Sequence, residues 1–216
     1  MPLNALGRDI PDYIEGYGLV RPYQGAFALR PDGQSARRRL RYGDIDVRSK
    51  VLPNLKAAIA ASGLESGMTI SFHHHLRNGD YVVNQVLDAC ADMGLQNLTL
   101  FPTALFDVHA HIMKHIKSGV IGRIMGSVNG SIGRFISEGG MKAPVVLRSH
   151  GGRPRAVMAG DVHIDVAFVA APATDCLGNI NGTRGESACG SMGYALTDAL
   201  YANCVIAVTD TILPYP

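Results

Sequence analysis

Three imidazoles, a guanidinium and a glycine crowd the end of one short apolar run. Residues 67–80 read GMTISFHHHLRNGD, so the run 68–72 is followed at once by His73, His74, His75, Arg77, Asn78 and Gly79. Imidazoles move protons near neutral pH, and a guanidinium pairs with carboxylate or phosphate. A second group, Ser149-His150-Gly151-Gly152-Arg153, has the same make-up: a hydroxyl, an imidazole, two glycines that admit close backbone approach, and a cation. It reads equally as a ligand-holding turn or as a tight turn with an exposed Arg153. A third stretch, residues 175–190 (DCLGNINGTRGESACG), is long for a plain connection. There Asn179-Ile180-Asn181-Gly182 suits a hairpin turn, and Cys189-Gly190-Ser191 offers backbone amides to an anion ahead of a helix.

Metal and nucleophile readings are weaker. Consecutive His73, His74 and His75 alternate faces in extended chain and cannot all meet one ion. His111 and His115 share one helical face but lack the Glu of an HExxH motif, so a surface helix bearing His109, His111 and His115 is preferred to a metal site. Glu186 has the chemistry to accept an acyl group, but a loop carboxylate reads first as solvent-facing. Cys189 reads first as an inert thiol. No GxSxG, Walker A or GxGxxG occurs in context, which leaves hydrolase, NTPase and dinucleotide readings without support.

The elements that must position these groups alternate along the chain. Strands are expected at 68–72, 98–101, 120–125, 145–147, 162–170 and 205–209. Helices are expected at 47–62, 81–93, 108–117, 132–138 and 192–203, several of them stopped by glycine. The run 162–170 is almost wholly apolar, as in a central strand. Such alternation predicts an α/β fold with a mainly parallel, doubly wound sheet, and ligands then bind beyond the carboxyl ends of the strands. Residues 1–45, broken by Pro2, Pro11, Pro22 and Pro31, read as an N-terminal extension whose tyrosines pack onto the body or another subunit. Residues 46–213 read as the α/β domain. Pro214-Tyr215-Pro216 reads as the start of an interdomain linker, making the chain a fragment whose second domain is absent.

Bulk properties narrow the class. Hydrophobic residues make up 47% of the 216 and charged ones 18%, enough for one well-buried core. Residues 1–50 carry nine Lys/Arg against six Asp/Glu, too mild an excess to argue for nucleic acid. The run Arg37-Arg38-Arg39-Leu40-Arg41 is read as a solvated face, with phosphate binding as the second reading. Four scattered cysteines without CxxC pairing, no signal peptide and no membrane-spanning run point to a cytoplasmic protein with reduced thiols. Cys90 and Cys204 are expected in the core.

Taken together, GMTISFHHHLRNGD, SHGGR at 149–153, IDVAFVAAPATDCLGNINGTRG, CGSMGYA at 189–195 and the closing LPYP resemble the alpha chain of citrate lyase, over roughly residues 47–216. The resemblance implies a CoA-transferase fold built of two similar α/β domains with the active site between them. It implies a citrate CoA-transferase that exchanges acetate for citrate on the thioester of an acyl carrier. The gamma chain carries that thioester on a CoA-derived prosthetic group, and the beta chain cleaves the citryl product to oxaloacetate and acetyl-carrier. No cofactor bound by this chain is implied, nor any metal or membrane; an oligomer is expected. Relatives of this subclass are thought to work through a ternary complex and a mixed anhydride. Because the family chain continues well past LPYP, part of the site is expected to be missing here.

Such a transfer needs carboxylates oriented near a thioester carbonyl and donors for the charge that develops on its oxygen. His74 and Ser149 are the candidate catalytic groups. Arg77 and Arg153 are the candidates for citrate carboxylates or carrier phosphates, with His73, Gly79, His150, Gly151, Gly152, Asn179, Asn181 and Gly190 around them. The alternative is a non-catalytic nucleotide or sugar-phosphate binding module on a similar sheet. A third reading is a structural subunit whose basic, proline-rich arm tethers a partner.

Overall fold

The computed structural model describes residues 2–4, 6–22, 48–73 and 78–214. The elements in chain order begin with a hairpin of β1 (Tyr13–Ile14) and β2 (Gly18–Leu19). Then come α1 (Leu55–Ser62), β3 (Thr69–His73), α2 (Val82–Asp92), β4 (Leu98–Pro102) and β5 (Ala104–Leu105). A 3-10 helix (Asp107–Ile112) runs into α3 (Met113–Lys117), followed by β6 (Ile121–Ile124), β7 (Ser127–Val128), α4 (Gly130–Ser137) and α5 (Gly152–Met158). The last group is β8 (Val166–Ala170), β9 (Ala173–Thr174), β10 (Ile180–Asn181), α6 (Ala195–Tyr201) and β11 (Cys204–Val208).

Five of these strands form one parallel sheet in the order β11-β8-β3-β4-β6. The chain starts in the middle at β3, moves outward through β4 and β6, then returns past β3 to lay down β8 and β11 on its other side. β3 and β8 are therefore the pair at which the winding reverses, the switch point of a doubly wound sheet. Register fixes what meets there: Phe72 faces Phe168 and His73 faces Val169.

Alternation of side chains across the strands explains why helices cover both faces. Ile70 and Phe72 of β3, Leu98 and Leu100 of β4, and Val166 and Phe168 of β8 point into one core with Ile59 of α1 and Val83, Val86, Leu87 and Cys90 of α2. Phe101 of β4 and Ala167 of β8 point the other way, against Ala156 and Val157 of α5 and Ala202 beyond α6. The Phe72 and Phe168 rings stack at 5.3 Å in the larger core. Burial pushes the Cys90 thiol up to about 12, which keeps it protonated and inert.

Several boundaries differ from the sequence expectation. The first helix begins only at Leu55, because Asn54 caps it by accepting the Ala57 N–H at 2.9 Å. Residues 145–147 do not form a strand of the sheet; Val146 makes one isolated bridge to Met125. The turn expected at 149–153 is the entry to α5, whose Pro154 suits a first helical turn. The loop after β8 folds a two-residue hairpin, β9–β10. Cys204 is half-buried on the edge strand instead of sealed in the core. Tyr13 and Tyr17 are exposed, while Gly16 of the same hairpin lies against Ala143 and its carbonyl accepts from Arg123. The Arg37–Arg41 run lies outside the described residues. Among the described residues, no helix is long and apolar enough to cross a membrane.

Phe168 is fully buried and central. Phe168→Ala is expected to destabilise the fold by about 3–5 kcal/mol through lost transfer energy and the cavity left behind. Urea unfolding followed by circular dichroism measures it.

Candidate functional site

All five parallel strands end on the same side, and segments that follow β4 and β6 meet there with residues 148–150 and Tyr194. A small hollow of about 40 Å³ lies above the β4 and β6 tips. Thr103 and Gly126, just past those strands, form its floor; Arg148, Ser149 and His150 form one wall, and Tyr194 closes another. That volume suits one water or one end of a carboxylate. The His150 and Tyr194 rings lie 6.0 Å apart. A Cβ placed on Gly193 would lie 3.7 Å from His73 Cε1, which puts the tip of β3 beside the same turn. A larger hollow, about 590 Å³, lies elsewhere, between α1, the open edge of β11 and residues 174–178. Its walls are mostly aliphatic, and it holds none of the expected site residues.

Arg153 is the clearest departure from expectation. It is only 2% exposed, and its guanidinium is already committed inside the protein. Nη1 and Nη2 donate to the two Asp198 carboxylate oxygens, each at 2.8 Å. Nη2 also donates to the Phe101 carbonyl at 3.0 Å and Nε to the Pro102 carbonyl at 3.4 Å. The cation stands 4.2 Å above the Phe101 ring. Neither the exposed arginine of a tight turn nor a cation free for ligand describes it. Arg153 ties α5 to α6 and to the last carbonyls of β4 while also lining the small hollow.

Other expected residues divide similarly. Ser149 and His150 are exposed at the hollow, and the Ser149 hydroxyl oxygen accepts the Gly152 N–H at 3.1 Å. Gly151 precedes α5 and is exposed. Gly79 is buried with φ of 87°, and a side chain there would overlap the His109 ring, so its glycine answers a packing need. Asn179 is held by Asp175: its backbone N–H donates to Oδ1 and its amide Nδ2 to Oδ2. Those bonds, with the Leu177 N–H, hold the buried Asp175 carboxyl below its ordinary range. Asn181 closes a local turn by accepting from the Thr183 N–H and hydroxyl. Gly190 is exposed and donates to the Gly182 carbonyl at 2.8 Å. These three belong to the loop beyond β8 and take no part in the small hollow. Glu186 and Cys189 are exposed on the same loop. His74 and Arg77 lie outside the described residues.

Sequence reasoning named Ser149, His150 and Arg153 of the hollow but passed over two of its other polar groups. Arg148 Nε and Thr103 Oγ1 are buried without a hydrogen-bond partner among the described residues. A buried polar atom without a partner is costly and points to a missing one. Arg148 stands one residue before the SHGGR motif, so its signal was adjacency alone. Thr103 had none in one dimension; only the shared ending of β3 and β4, where its N–H caps the Phe72 carbonyl at 3.1 Å, places it.

The family described as "Citrate lyase, alpha subunit (CitF)" matches residues 48–216. The chain is 44% identical over 207 residues to a citrate lyase alpha chain of Klebsiella pneumoniae and 48% identical over 168 residues to that of Escherichia coli K12. It covers 39% and 33% of those proteins, so it spans little more than a third of the curated relatives' length. A solved structure described as the alpha subunit of citrate lyase from Streptococcus mutans, in complex with citrate, superposes with TM-score 0.86 at 46% identity. That superposition covers 98% of this chain and 41% of the other, and the α/β fold is of the CoA-transferase type.

The Arg153–Asp198 pair is buried on both sides. Arg153→Ala and Asp198→Ala are each expected to lose about 3–5 kcal/mol, because either leaves a charge stranded. The double variant should lose much less than the sum, a deficit that denaturation midpoints of the four proteins in the cycle would reveal.

Proposed function

The chain belongs to the citrate lyase alpha-subunit family, and on that premise we propose that it supplies part of a citrate CoA-transferase. The reaction exchanges acetate for citrate on an acyl-carrier thioester. A carboxylate oxygen of citrate attacks the acetyl thioester carbonyl and the thiolate leaves, giving a mixed anhydride. The thiolate then attacks the citryl carbonyl and acetate departs, so the thioester is kept and no ATP is required. The lyase (beta) chain would cleave the citryl thioester, and the gamma chain would bring the CoA-derived prosthetic group. The working form would be a cytoplasmic oligomer in which residues 46–213 are the first of two similar domains, 1–45 an extension and 214–216 the start of the link between domains.

The observation that carries the reading is a cation with an unpartnered buried nitrogen at the mouth of the strand tips. Arg148 Nε and Thr103 Oγ1 line a hollow sized for a carboxylate, with the Ser149 hydroxyl and His150 beside them. A guanidinium and hydroxyls orient a carboxylate strongly. The citrate found with the Streptococcus mutans relative supports citrate as the ligand. Among the expected residues, Ser149 keeps its proposed role as a donor to the developing oxyanion, and His150 as a neighbour of the bound carboxylate. His73 would close the site from the tip of β3, with the Gly151-Gly152 backbone at the opposite wall, and His74 and Arg77 keep their proposed roles as oxyanion donor and carboxylate or phosphate partner. Gly79, Asn179, Asn181 and Gly190 would shape the two loops behind it. Arg153 would act beneath, through the position of the wall that Arg148 and Ser149 share.

In the assembled complex supplied with citrate and acetyl-carrier, citryl-carrier should form and acetate should be released. Arg148→Ala is expected to raise the citrate KM about tenfold or more, equivalent to one lost charged hydrogen bond of roughly 1.5–3 kcal/mol, while the carrier KM stays within twofold. Unchanged citrate kinetics would remove Arg148 from the site, and citrate binding without transfer would leave only a binding module.

A further inference from the structure

A polar cluster that the transfer reaction does not use sits on the outer face of the helix layer. Asp88 projects from α2, His111 from the 3-10 helix and His115 from α3, and their ligand atoms all lie within 4.8 Å of one another. His111 Nε2 stands 2.9 and 3.0 Å from the two carboxylate oxygens of Asp88, and His115 Nε2 stands 2.8 Å from Oδ1. Lys114 Nζ reaches the same Oδ1 at 2.9 Å. Three donors thus converge on one carboxylate oxygen, more than its two lone-pair directions serve well. The His111 and His115 rings are edge to face at 5.7 Å, both presenting Nε2 inward.

We propose that Asp88, His111 and His115 are a three-ligand site for a borderline divalent transition ion such as zinc or cobalt. Two imidazole nitrogens and one carboxylate oxygen are a known set for zinc, with metal–ligand distances of about 2.0–2.2 Å. Tetrahedral ligands at those distances stand roughly 3.3 Å apart. The two histidine-to-Asp88 separations need only open by about half an ångström, and Asp88 and His111 are both close to half exposed and free to adjust. His115 is 4% exposed and anchors the site. The bound ion displaces Lys114 from Oδ1, because an ammonium and a dication compete for one oxygen. Remaining coordination positions face solvent, on a different surface from the strand-tip hollow.

The test is titration of the chelator-treated protein with cobalt alone, followed by visible absorption, and with zinc alone, by calorimetry. One equivalent should bind saturably. His111→Ala should weaken binding at least tenfold, while His163→Ala, at an exposed histidine outside the cluster, should leave it unchanged. Lys114→Ala keeps every ligand and removes the competitor, so it should tighten binding several-fold; a mere carboxylate clamp between helices predicts no such gain. Equal affinities for His111→Ala and His163→Ala, weaker binding by Lys114→Ala, or no saturable binding in the micromolar range would each overturn the site.

Discussion

One buried guanidinium holds the working end of this sheet together. Arg153 spends four hydrogen bonds on the Asp198 carboxylate and the last two carbonyls of β4. Those carbonyls lie where a strand runs out of neighbours, so they would otherwise be buried without donors. Asp198 sits on α6, Arg153 on α5, and Phe101 under both, so three elements from distant parts of the chain share one charge pair. Against an apolar replacement such a pair gains little stability, since desolvation offsets attraction. Its geometry is nonetheless directional and two-pronged, which sets how α5 meets the strand tips. The segment 148–150 hangs from that junction.

The same end of the sheet shows how packing sets a protonation form. His109 Nδ1 accepts the Phe106 N–H at 3.0 Å, so its proton must sit on Nε2, which donates to the Asp80 carbonyl at 2.9 Å. The ring therefore joins the segment after β3 to the segment after β5. Gly79 must lie flat beneath it, and its φ of 87° adds a second reason for glycine there. A histidine and a glycine with the residue types of a binding site thus serve packing between residues 79–80 and the 3-10 helix.

Three charged side chains end in different states. Arg153 has its charge and nearly all its donors answered. Arg148 has a buried Nε without a hydrogen-bond partner among the described residues. Asp88 has the opposite imbalance, with more donors than acceptor directions at one oxygen. Burial, the largest single influence, raises its pKa, yet hydrogen bonds from Lys114, His111 and His115 together hold the carboxyl well below the usual range. What separates these three groups is the balance of their hydrogen bonds, which residue type alone does not report.

The α/β class, the mainly parallel winding and the central place of the run 162–170 were legible in the chain itself, because apolar periodicity is a local property that burial on two faces imposes; the strand order was not. The motifs from GMTISFHHHLRNGD to CGSMGYA likewise carried the family, since their joint wording is specific even where each piece is weak. Local reading failed where the deciding contact lay far along the chain. Nothing near Arg153 names Asp198, 45 residues away, as its partner. Nothing near His111 and His115 names Asp88, which a helix pair brings over from 23 and 27 residues upstream. Nor does the neighbourhood of Thr103 say that its hydroxyl ends buried and unanswered. Residue type and spacing set which chemistry is available; only the folded packing of separate elements decides which groups are satisfied and which are left to bind.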